Sequence, residues 1–415
     1  MSTAHPQPKT PKAAWLLYPL TVLTMLPVTG VVPILKNLIY DQYAVGELAT
    51  SAFMSINMIG AIIGAPILGR WADGKNNHLN LLIFCALVDA SLWITFSTLP
   101  PFYILLSVRL LEGAAHIGAL TMIMALMGHL SEERGRRAHM AALGGCIMFG
   151  VAMGSPLGGI LGKLDVVLPL QAGAGVMALV AATALVLKLD DGLRQTLDSM
   201  GSRTDKTARG SVWSLRPLQV SPPFRLPYLF GFVDRFTIGV FIIAFMLYTA
   251  HLGHGPQTTG FLIGAFMIPF AFLSYPIGKL AEPLGLWRFV LVGSLLFGLA
   301  YGAVPWLSGW HLWAAMGVCG VLSAVMFGPN LMLVTKASTP QNRASAVAGF
   351  NTAGSLGFLV GPMTGGALLQ GIKGFYPPEV TFRIVFALVG ATEVVCVAWG
   401  LWRLKTEPQP SQRDG

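Results

Sequence analysis

RWADGKNNHLNLLIFCALVDASLWITFST (70–98) contains, in one stretch, the pattern that decides the fold of this chain. Two basic residues, Arg70 and Lys75, precede the run 79–98, in which Asp89 is the only charged side chain. An apolar run of this length can cross the hydrocarbon core of a bilayer as one α-helix, and cationic loops resist translocation. The stretch therefore predicts a cytoplasmic loop followed by a membrane span.

The same alternation of basic loops and apolar runs continues along the whole chain. It predicts an all-α, polytopic membrane protein with twelve transmembrane helices. The predicted spans are 14–36, 45–70, 79–98, 102–130, 138–162, 168–188, 227–250, 258–281, 287–307, 310–335, 344–370 and 380–402.

The distribution of the 27 lysines and arginines predicts the orientation of these spans. With the N-terminus inside, Arg109 and Arg235 fall within spans, and 21 other basic residues lie in cytoplasmic tails and loops. Such a bias orients membrane helices, so we expect both termini in the cytoplasm, in a bacterial inner membrane. The far side has only four basic residues, which are Lys36, Lys163, Lys373 and Arg383.

The composition agrees with this interpretation. Hydrophobic residues make up 54% of the chain and charged residues 11%, and there are 48 glycines and 27 prolines, which packed membrane helices use freely. The net charge of +9 lies in short loops between apolar runs, so it indicates topology and contact with anionic membrane lipids and not a nucleic-acid partner. We expect a monomer.

The chain is also internally repeated. Residues 190–226 form the only long polar stretch and predict a cytoplasmic linker between two six-helix bundles, 1–189 and 227–415. Shifting the sequence by about 207 residues aligns motifs of the two halves, which is typical of duplicated transporters. The aligned positions are Gly69, Arg70 and Asp73 with Gly278, Lys279 and Glu282, then Arg137 with Arg343, and Gly150 and Gly154 with Gly357 and Gly361.

The repeated loop residues predict a cytoplasmic gate. Asp73 and Glu282 each follow the end of a span, where a carboxylate can cap the N-terminus of a facing helix. Either could instead pair with a loop arginine such as Arg137 or Arg343. The expected gate consists of Gly69, Arg70, Asp73, Arg137, Gly278, Lys279, Glu282 and Arg343.

Five motifs resemble signatures of the major facilitator superfamily. GRWADGKNN (69–77) resembles its loop between helices 2 and 3, although a denser basic cluster is usual there, and VRLLEGAAHIGA (108–119) resembles its helix-4 signature. GVAMGSPLGG (150–159) resembles the helix-5 signature of the drug:proton antiporter branch. GFLVGPMTGG (357–366) repeats it, and LPVTGVVP (26–33) is a weaker match in helix 1. The resemblance implies two pseudo-symmetric bundles that transport by alternating access.

The two glycine-rich motifs indicate close packing of helices. Glycines four residues apart let helix backbones approach, and a proline removes a backbone donor and bends the helix. Because the motif occurs at matching places in both halves, we expect contacts between the bundles that resist leak. The residues concerned are Gly150, Gly154, Pro156, Gly357, Gly361 and Pro362.

Charged side chains within spans indicate function, because each costs about 3 kcal/mol at the bilayer centre. Arg109, Glu112 and His116 have the spacing i, i+3, i+7 and therefore share one face of span 4. We expect this face to look into a central cavity, where a carboxylate beside an arginine and an imidazole can bind and release protons. The alternative is a buried ion pair of Arg109 with Glu112 or Asp89 that only fixes helix packing.

The sequence around the remaining charged residues in spans indicates their function less specifically. Asp234 and Arg235 are adjacent in span 7 and point about 100° apart, so we expect different partners, with a role in substrate binding or gating as one alternative. Asp89 and Glu393 lie in spans 3 and 12, which occupy outer positions in the superfamily. For these two we expect a neutral, helix-packing role.

The sequence contains no phosphate-binding loop and no cluster with metal-ligand spacing, so it predicts neither an enzyme nor a bound cofactor or metal. We expect a secondary active transporter that exports a small amphipathic molecule in exchange for protons. Three alternatives remain open. They are an importer or metabolite exporter of the same superfamily, a non-transporting receptor or assembly protein, and a channel, which bent, paired bundles suit less well.

Overall fold

The structure is a computed structural model that describes residues 12–75, 77–131, 136–190, 222–339 and 342–406. The described residues contain no β-strand, and helices account for nearly all of them. The long helices are α1 Leu17–Gly30, α2 Glu47–Lys75, α3 His78–Ser97, α4 Phe102–Leu130, α5 Arg136–Leu164, α6 Leu168–Leu189, α7 Pro222–His251, α8 Pro256–Leu284, α9 Leu286–Ala303, α10 Gly309–Ala337, α11 Arg343–Ile372 and α12 Pro378–Thr406.

Twelve segments of the described chain are long and apolar enough to cross a membrane, in the order and at the places that the hydropathy pattern predicts. This confirms an all-α, integral membrane protein. The clearest difference is at span 7, predicted from residue 227, because α7 begins at Pro222. Asp234 and Arg235 consequently lie about 18 Å from the start of their helix, at 1.5 Å of rise per residue.

Span 1 is less regular than a single helix. After α1 the chain continues as a 3₁₀ turn over Val32–Ile34 and a π-helical turn over Lys36–Asp41. Pro33 lies within the 3₁₀ turn. Because proline has no backbone N–H and clashes with the preceding turn, an α-helical hydrogen-bond ladder cannot pass through it unchanged.

The chain divides into two compact units. The first unit takes the described parts of Met1–Leu38, Ile56–Val212 and Pro256–Gly260, and the second takes those of Ile39–Ser55, Trp213–Gly255 and Phe261–Gly415. Most of the predicted linker, 190–226, lies outside the described residues. The units differ from the predicted bundles in two short segments, because Ile39–Ser55 and Pro256–Gly260 each join the unit formed mainly by the other half of the sequence.

Both units pair their helices in the same way, in agreement with the internal repeat. In the first unit α1 packs on α5, and α3 packs on α4 and α6. In the second unit α7 packs on α11, and α9 packs on α10 and α12. Each helix of the second unit corresponds to the helix six places earlier in the first.

The glycine-rich motif of α5 packs against α1 within the first unit. A Cβ on Gly150 would lie 2.6 Å from the carbonyl oxygen of Val22, and a Cβ on Gly154 would overlap the carbonyl of Leu26. Thr29 donates its hydroxyl to the carbonyl of Val151 over 2.7 Å, which ties the two backbones together. Gly150 and Gly154 therefore pack on α1 within their own unit, and a contact of these residues with the other bundle stays a prediction.

The motif of α11 repeats this arrangement on α7 in the second unit. A Cβ on Gly357 would lie 2.5 Å from the carbonyl oxygen of Phe232, and one on Gly361 would lie 2.5 Å from that of Phe236. Gly357 and Gly361 therefore also pack within their own unit, and a contact of these residues with the other bundle stays a prediction. Pro156 and Pro362 lie inside α5 and α11, which continue past them.

The last glycine of each motif does join helices from different halves of the sequence. A Cβ on Gly159 would lie 2.6 Å from the carbonyl oxygen of Pro256, in the first turn of α8 and in the same compact unit. A Cβ on Gly366 would lie 2.6 Å from the carbonyl oxygen of Glu47, in the first turn of α2 and also in the same unit. Gly159 and Gly366, which were not among the six predicted residues, therefore form contacts between helices from different halves of the sequence.

Candidate functional site

The charged face of α4 is buried between α2 and α3. Arg109 and Glu112 are each 1% exposed and His116 is 7% exposed, so neighbouring helices cover this face in the structure, and its access to a central cavity stays a prediction. Gly113 permits the burial, because a Cβ there would overlap the backbone of Asn57 on α2. Small residues at such crossings let polar side chains of neighbouring membrane helices meet.

Glu112 accepts two hydrogen bonds at one carboxylate oxygen. Arg109 donates Nη1–H to Glu112 Oε2 over 2.9 Å, and Asn57 donates its side-chain amide to the same oxygen over 2.5 Å. The guanidinium of Arg109 also lies 5.8 Å from the ring centroid of Trp93 and 5.9 Å from that of Phe96, both on α3. A charge-assisted hydrogen bond and two aromatic faces together compensate the burial of this arginine.

His116 continues the polar cluster one turn further along α4. Its Nδ1 lies 2.8 Å from Asp89 Oδ2 on α3, and Asp89 is completely buried. His116 Nε2 and Asp89 Oδ1 are buried without a hydrogen-bond partner among the described residues. One carboxylate oxygen of Asp89, one of Glu112 and one ring nitrogen of His116 all lie within 4.8 Å of one another.

The charges of this cluster balance when His116 and Asp89 share one proton. Arg109 is then compensated by ionised Glu112, and the imidazole and carboxyl of the other pair sum to zero in either arrangement of their proton. Removing that proton leaves a net negative charge in a region that excludes water, which is costly. The cluster can therefore release its proton only when water or another cation reaches it.

A second set of buried carboxyls lies in the second unit. Glu393 on α12 is completely buried and accepts a hydrogen bond from the hydroxyl of Thr237 on α7 over 3.2 Å. Asp234 on α7 is 7% exposed and is close enough to Glu393 to interact with it electrostatically. Asp234 Oδ1 and Glu393 Oε2 have no hydrogen-bond partner among the described residues. Glu393 also packs against Gly298 on α9, as a helix-packing role requires.

The guanidinium of Arg235 packs against α10 and α11. Its guanidinium lies 5.0 Å from the ring centroid of Phe327 and 5.1 Å from that of Phe350, and Nη1–H donates to the carbonyl of Gly231 over 3.3 Å. Adjacent residues of α7 thus have different partners, which is the arrangement that helical geometry predicts.

The structure describes the side chains of only some of the residues that are expected to form the gate. Glu282 pairs with Lys336 over 3.1 Å, and Lys279 Nζ lies 4.8 Å from the ring centroid of Tyr275. Arg70 is exposed, and the loop-facing glycines Gly69 and Gly278 show no overlap that would exclude a small side chain. The side chains of Asp73, Arg137 and Arg343 lie outside the described residues, so a latch through them stays a prediction.

An ion pair that sequence reasoning missed joins the start of α2 to the end of α11, within the second unit. Lys373 Nζ donates to both carboxylate oxygens of Glu47, each over 2.6 Å. The side-chain amide oxygen of Gln370 accepts the backbone N–H of Leu48 over 3.2 Å. The hydrogen bonds to Glu47 raise the pKa of Lys373, which favours the charged form of this lysine.

Two signals in the sequence indicate these partners of the α4 cluster, although Asn57 was not among the predicted residues and Asp89 was considered as a partner only beside Arg109. Asn57 is an amide inside an otherwise apolar span, and Asp89 is a carboxylate near the middle of span 3. Membrane helices rarely bury such groups without a partner. Their burial close to α4, and so their involvement in the site, depends on the packing of α2 and α3.

Comparison with known proteins is consistent with this architecture. The family model of the Major Facilitator Superfamily matches residues 17–233 and 227–415. Human solute carrier family 67 member A1 is 25% identical over 93% of this chain and 89% of its own length. The inner membrane transport protein RhmT of Escherichia coli is 28% identical over 36% of this chain and 34% of its own length.

Solved structures show the same fold. A bacterial homologue of the human lysosomal transporter Spinster superimposes with a TM-score of 0.78 at 15% identity, covering 98% of this chain and all of the other. The nucleoside transporter NupG superimposes with a TM-score of 0.78 at 13% identity, covering 96% of this chain and all of the other. At these identities the likeness concerns the fold alone.

Proposed function

Since this chain belongs to the Major Facilitator Superfamily and is a membrane transporter, we propose that it exports a small amphipathic molecule in exchange for protons by alternating access. The proposal depends mainly on one observation, the buried cluster of Arg109, Glu112, His116 and Asp89. Titratable side chains in membrane spans are costly and rare, and they commonly mark the pathway of a substrate or a proton. The resemblance of helix 5 to the drug:proton antiporter branch supports export.

The coupling follows from the charge balance of the cluster. His116 and Asp89 hold one proton while the cluster is closed to water, and they can lose it only after a conformational change hydrates them. A ligand that binds one conformation better than the other shifts that equilibrium by its difference in affinity. Solute and proton therefore influence each other through the same two conformations, which is the requirement for coupled transport.

The experiment uses the purified protein in liposomes that contain a pH-sensitive dye. When a candidate solute is added on one side, exchange is expected to move protons in the opposite direction, and an imposed pH gradient is expected to drive solute uphill. A proton uncoupler should abolish the uphill phase. Solute flux that responds to a sodium gradient and not to pH would refute proton coupling, and the absence of any solute flux would favour a non-transporting receptor.

The orientation is a further part of the proposal, with both termini and the linker in the cytoplasm of a bacterial inner membrane. A cysteine introduced at Ser308, which is exposed just before α10, should react with an impermeant thiol reagent added to intact cells. A cysteine at Ser202, in the linker outside the described residues, should be protected. The unsubstituted protein is the control, since Cys85, Cys319 and Cys396 are buried and Cys146 is partly buried. Labelling of the cysteine at Ser202 without labelling of the cysteine at Ser308 would show that the orientation is the opposite of the proposed one.

A further inference from the structure

Arg109 and Arg235, which both lie well inside membrane spans, have similar aromatic surroundings and different ionic ones. Arg109 lies over Trp93 and Phe96 and is bound to Glu112 over 2.9 Å. Arg235 also lies over two rings, yet among the described residues no carboxylate oxygen comes within 4.0 Å of its guanidinium. Its neighbour Asp234 interacts electrostatically with both Arg235 and Glu393, but it forms no ion pair with Arg235. Among the described residues, Arg109 therefore has a directly bound carboxylate and Arg235 has none.

The surroundings of Arg235 hold the guanidinium in place without using most of its donors. Phe327 and Phe350 contact its faces, and a Cβ on Gly354 would overlap its side chain, so α11 provides space for it. The one hydrogen bond among the described residues goes to the carbonyl of Gly231 in the preceding turn. Arg235 is only partly buried, whereas Arg109 is 1% exposed. A guanidinium has five N–H donors, and most of those of Arg235 remain available to a ligand.

The chemistry of this site indicates what the ligand is. A planar guanidinium binds a carboxylate or phosphate group through two parallel hydrogen bonds, and a bound anion would cancel the charge that the membrane makes expensive. Phe327, which is half-buried, offers an apolar surface next to the cation. Asp234 interacts electrostatically with Arg235, so an ionised Asp234 would repel a second negative charge on the ligand.

We propose that Arg235 binds the acidic group of the transported solute, and that this solute is an organic monoanion with an apolar body. The inference rests on the proposed transport function and specifies its substrate class. The acidic group takes the place that Glu112 has beside Arg109. The apolar body contacts the aromatic rings, so the proposed amphipathic solute is an anion.

The test compares carboxylic acids with their primary amides, which have nearly the same shape but no charge. A panel of short- and medium-chain aliphatic and aromatic monocarboxylates, each with its matched amide, is added to the purified protein in an uncharged detergent, and binding is measured by thermal stabilisation. At least one acid is expected to bind when its amide does not. Arg235→Gln should weaken that binding by about 10- to 100-fold, the usual effect of losing a charge-assisted hydrogen bond.

Arg403→Gln is the matched control, because Arg403 also lies over two rings, Trp399 and Trp402, but in the last turn of α12. It should bind the acids as the unchanged protein does. Arg235→Lys keeps the charge without the planar fork and should bind with intermediate affinity, so the proposal stays testable if Arg235→Gln fails to fold. Equal binding of acids and amides, unchanged affinity in both Arg235 variants, or no response to any acid would overturn it.

Binding in detergent involves no ion gradient, so this test is independent of proton coupling. Glu112→Gln should retain the affinity for the acids. If acids bind through Arg235 and liposomes show no proton exchange, the coupling mechanism fails and the substrate class stands. If protons are exchanged for uncharged solutes while the acids do not bind, the substrate class fails and the proposed function stands.

Discussion

Glu112→Gln is expected to abolish transport driven by a pH gradient. The amide keeps the size of the side chain and can still accept hydrogen bonds from Arg109 and Asn57, but it cannot ionise. Once residue 112 carries no negative charge, the positive charge of Arg109 is balanced only when the His116–Asp89 pair has lost its proton. Protonation of that pair is then determined by the charge of Arg109 and no longer by the solute. Solute exchange without a gradient should persist, since the change lies outside the proposed solute contact.

The measurement is uphill solute movement in liposomes with an imposed pH gradient, alongside exchange at equal pH. Glu379→Gln is the control, because Glu379 is an exposed carboxylate in the first turn of α12. Removing one partner of a buried ion pair costs about 3–5 kcal/mol, so the double variant Arg109→Gln/Glu112→Gln should be more stable than Glu112→Gln alone. Uphill transport at the unchanged rate with the same pH profile would place coupling elsewhere, with Asp234 the next candidate.

Other substitutions in the cluster extend the same prediction. Arg109→Ala should impair transport, because it leaves Glu112 with Asn57 as its remaining donor. His116→Gln should change the pH dependence, because an amide cannot carry the proton that the imidazole shares with Asp89. Asp89→Asn should do the same. A shift with Asp89→Asn would distinguish a proton-handling role from the helix-packing role that its place in span 3 suggests.

Gly154→Val is expected to reduce the amount of folded protein severely. A side chain at Gly154 would overlap the carbonyl of Leu26 and the hydroxyl of Thr29, so α1 and α5 would have to separate. Overpacking of a tight contact costs about 1–3 kcal/mol, and here it also disrupts the hydrogen bond from Thr29 to Val151. The yield of monodisperse protein and its melting temperature in detergent measure the effect.

Gly144→Val is the matched control on the same helix, because nothing lies within 4 Å of a Cβ at Gly144. On α11, Gly361→Val and Gly371→Val form the equivalent pair, with overlap at the first position and open space at the second. Variants that still fold should recognise the same range of solutes. Equal yield and melting temperature for Gly154→Val and Gly144→Val would show that the α1–α5 contact tolerates bulk.

The membrane fold could be predicted from the sequence because its signals are local. Each span is a run of apolar residues long enough for the bilayer, and the basic residues of the loops predict the orientation of the spans. The internal repeat is visible as a constant offset between motifs, and the structure repeats the helix pairings accordingly. The pairing of Arg109 with Glu112 could also be predicted from the sequence, because residues three apart lie on one helical face whatever surrounds the helix.

The partners of these helices were decided only by tertiary structure. His116 meets Asp89 from α3, Glu112 meets Asn57 from α2, and Lys373 meets Glu47 some 326 positions earlier in the chain. Helical periodicity indicates which residues share a face, but it does not specify which helix covers that face. In a membrane, apolar side chains are equally soluble in lipid and in protein, so small residues and polar contacts select the neighbours. Those contacts form only when distant segments meet.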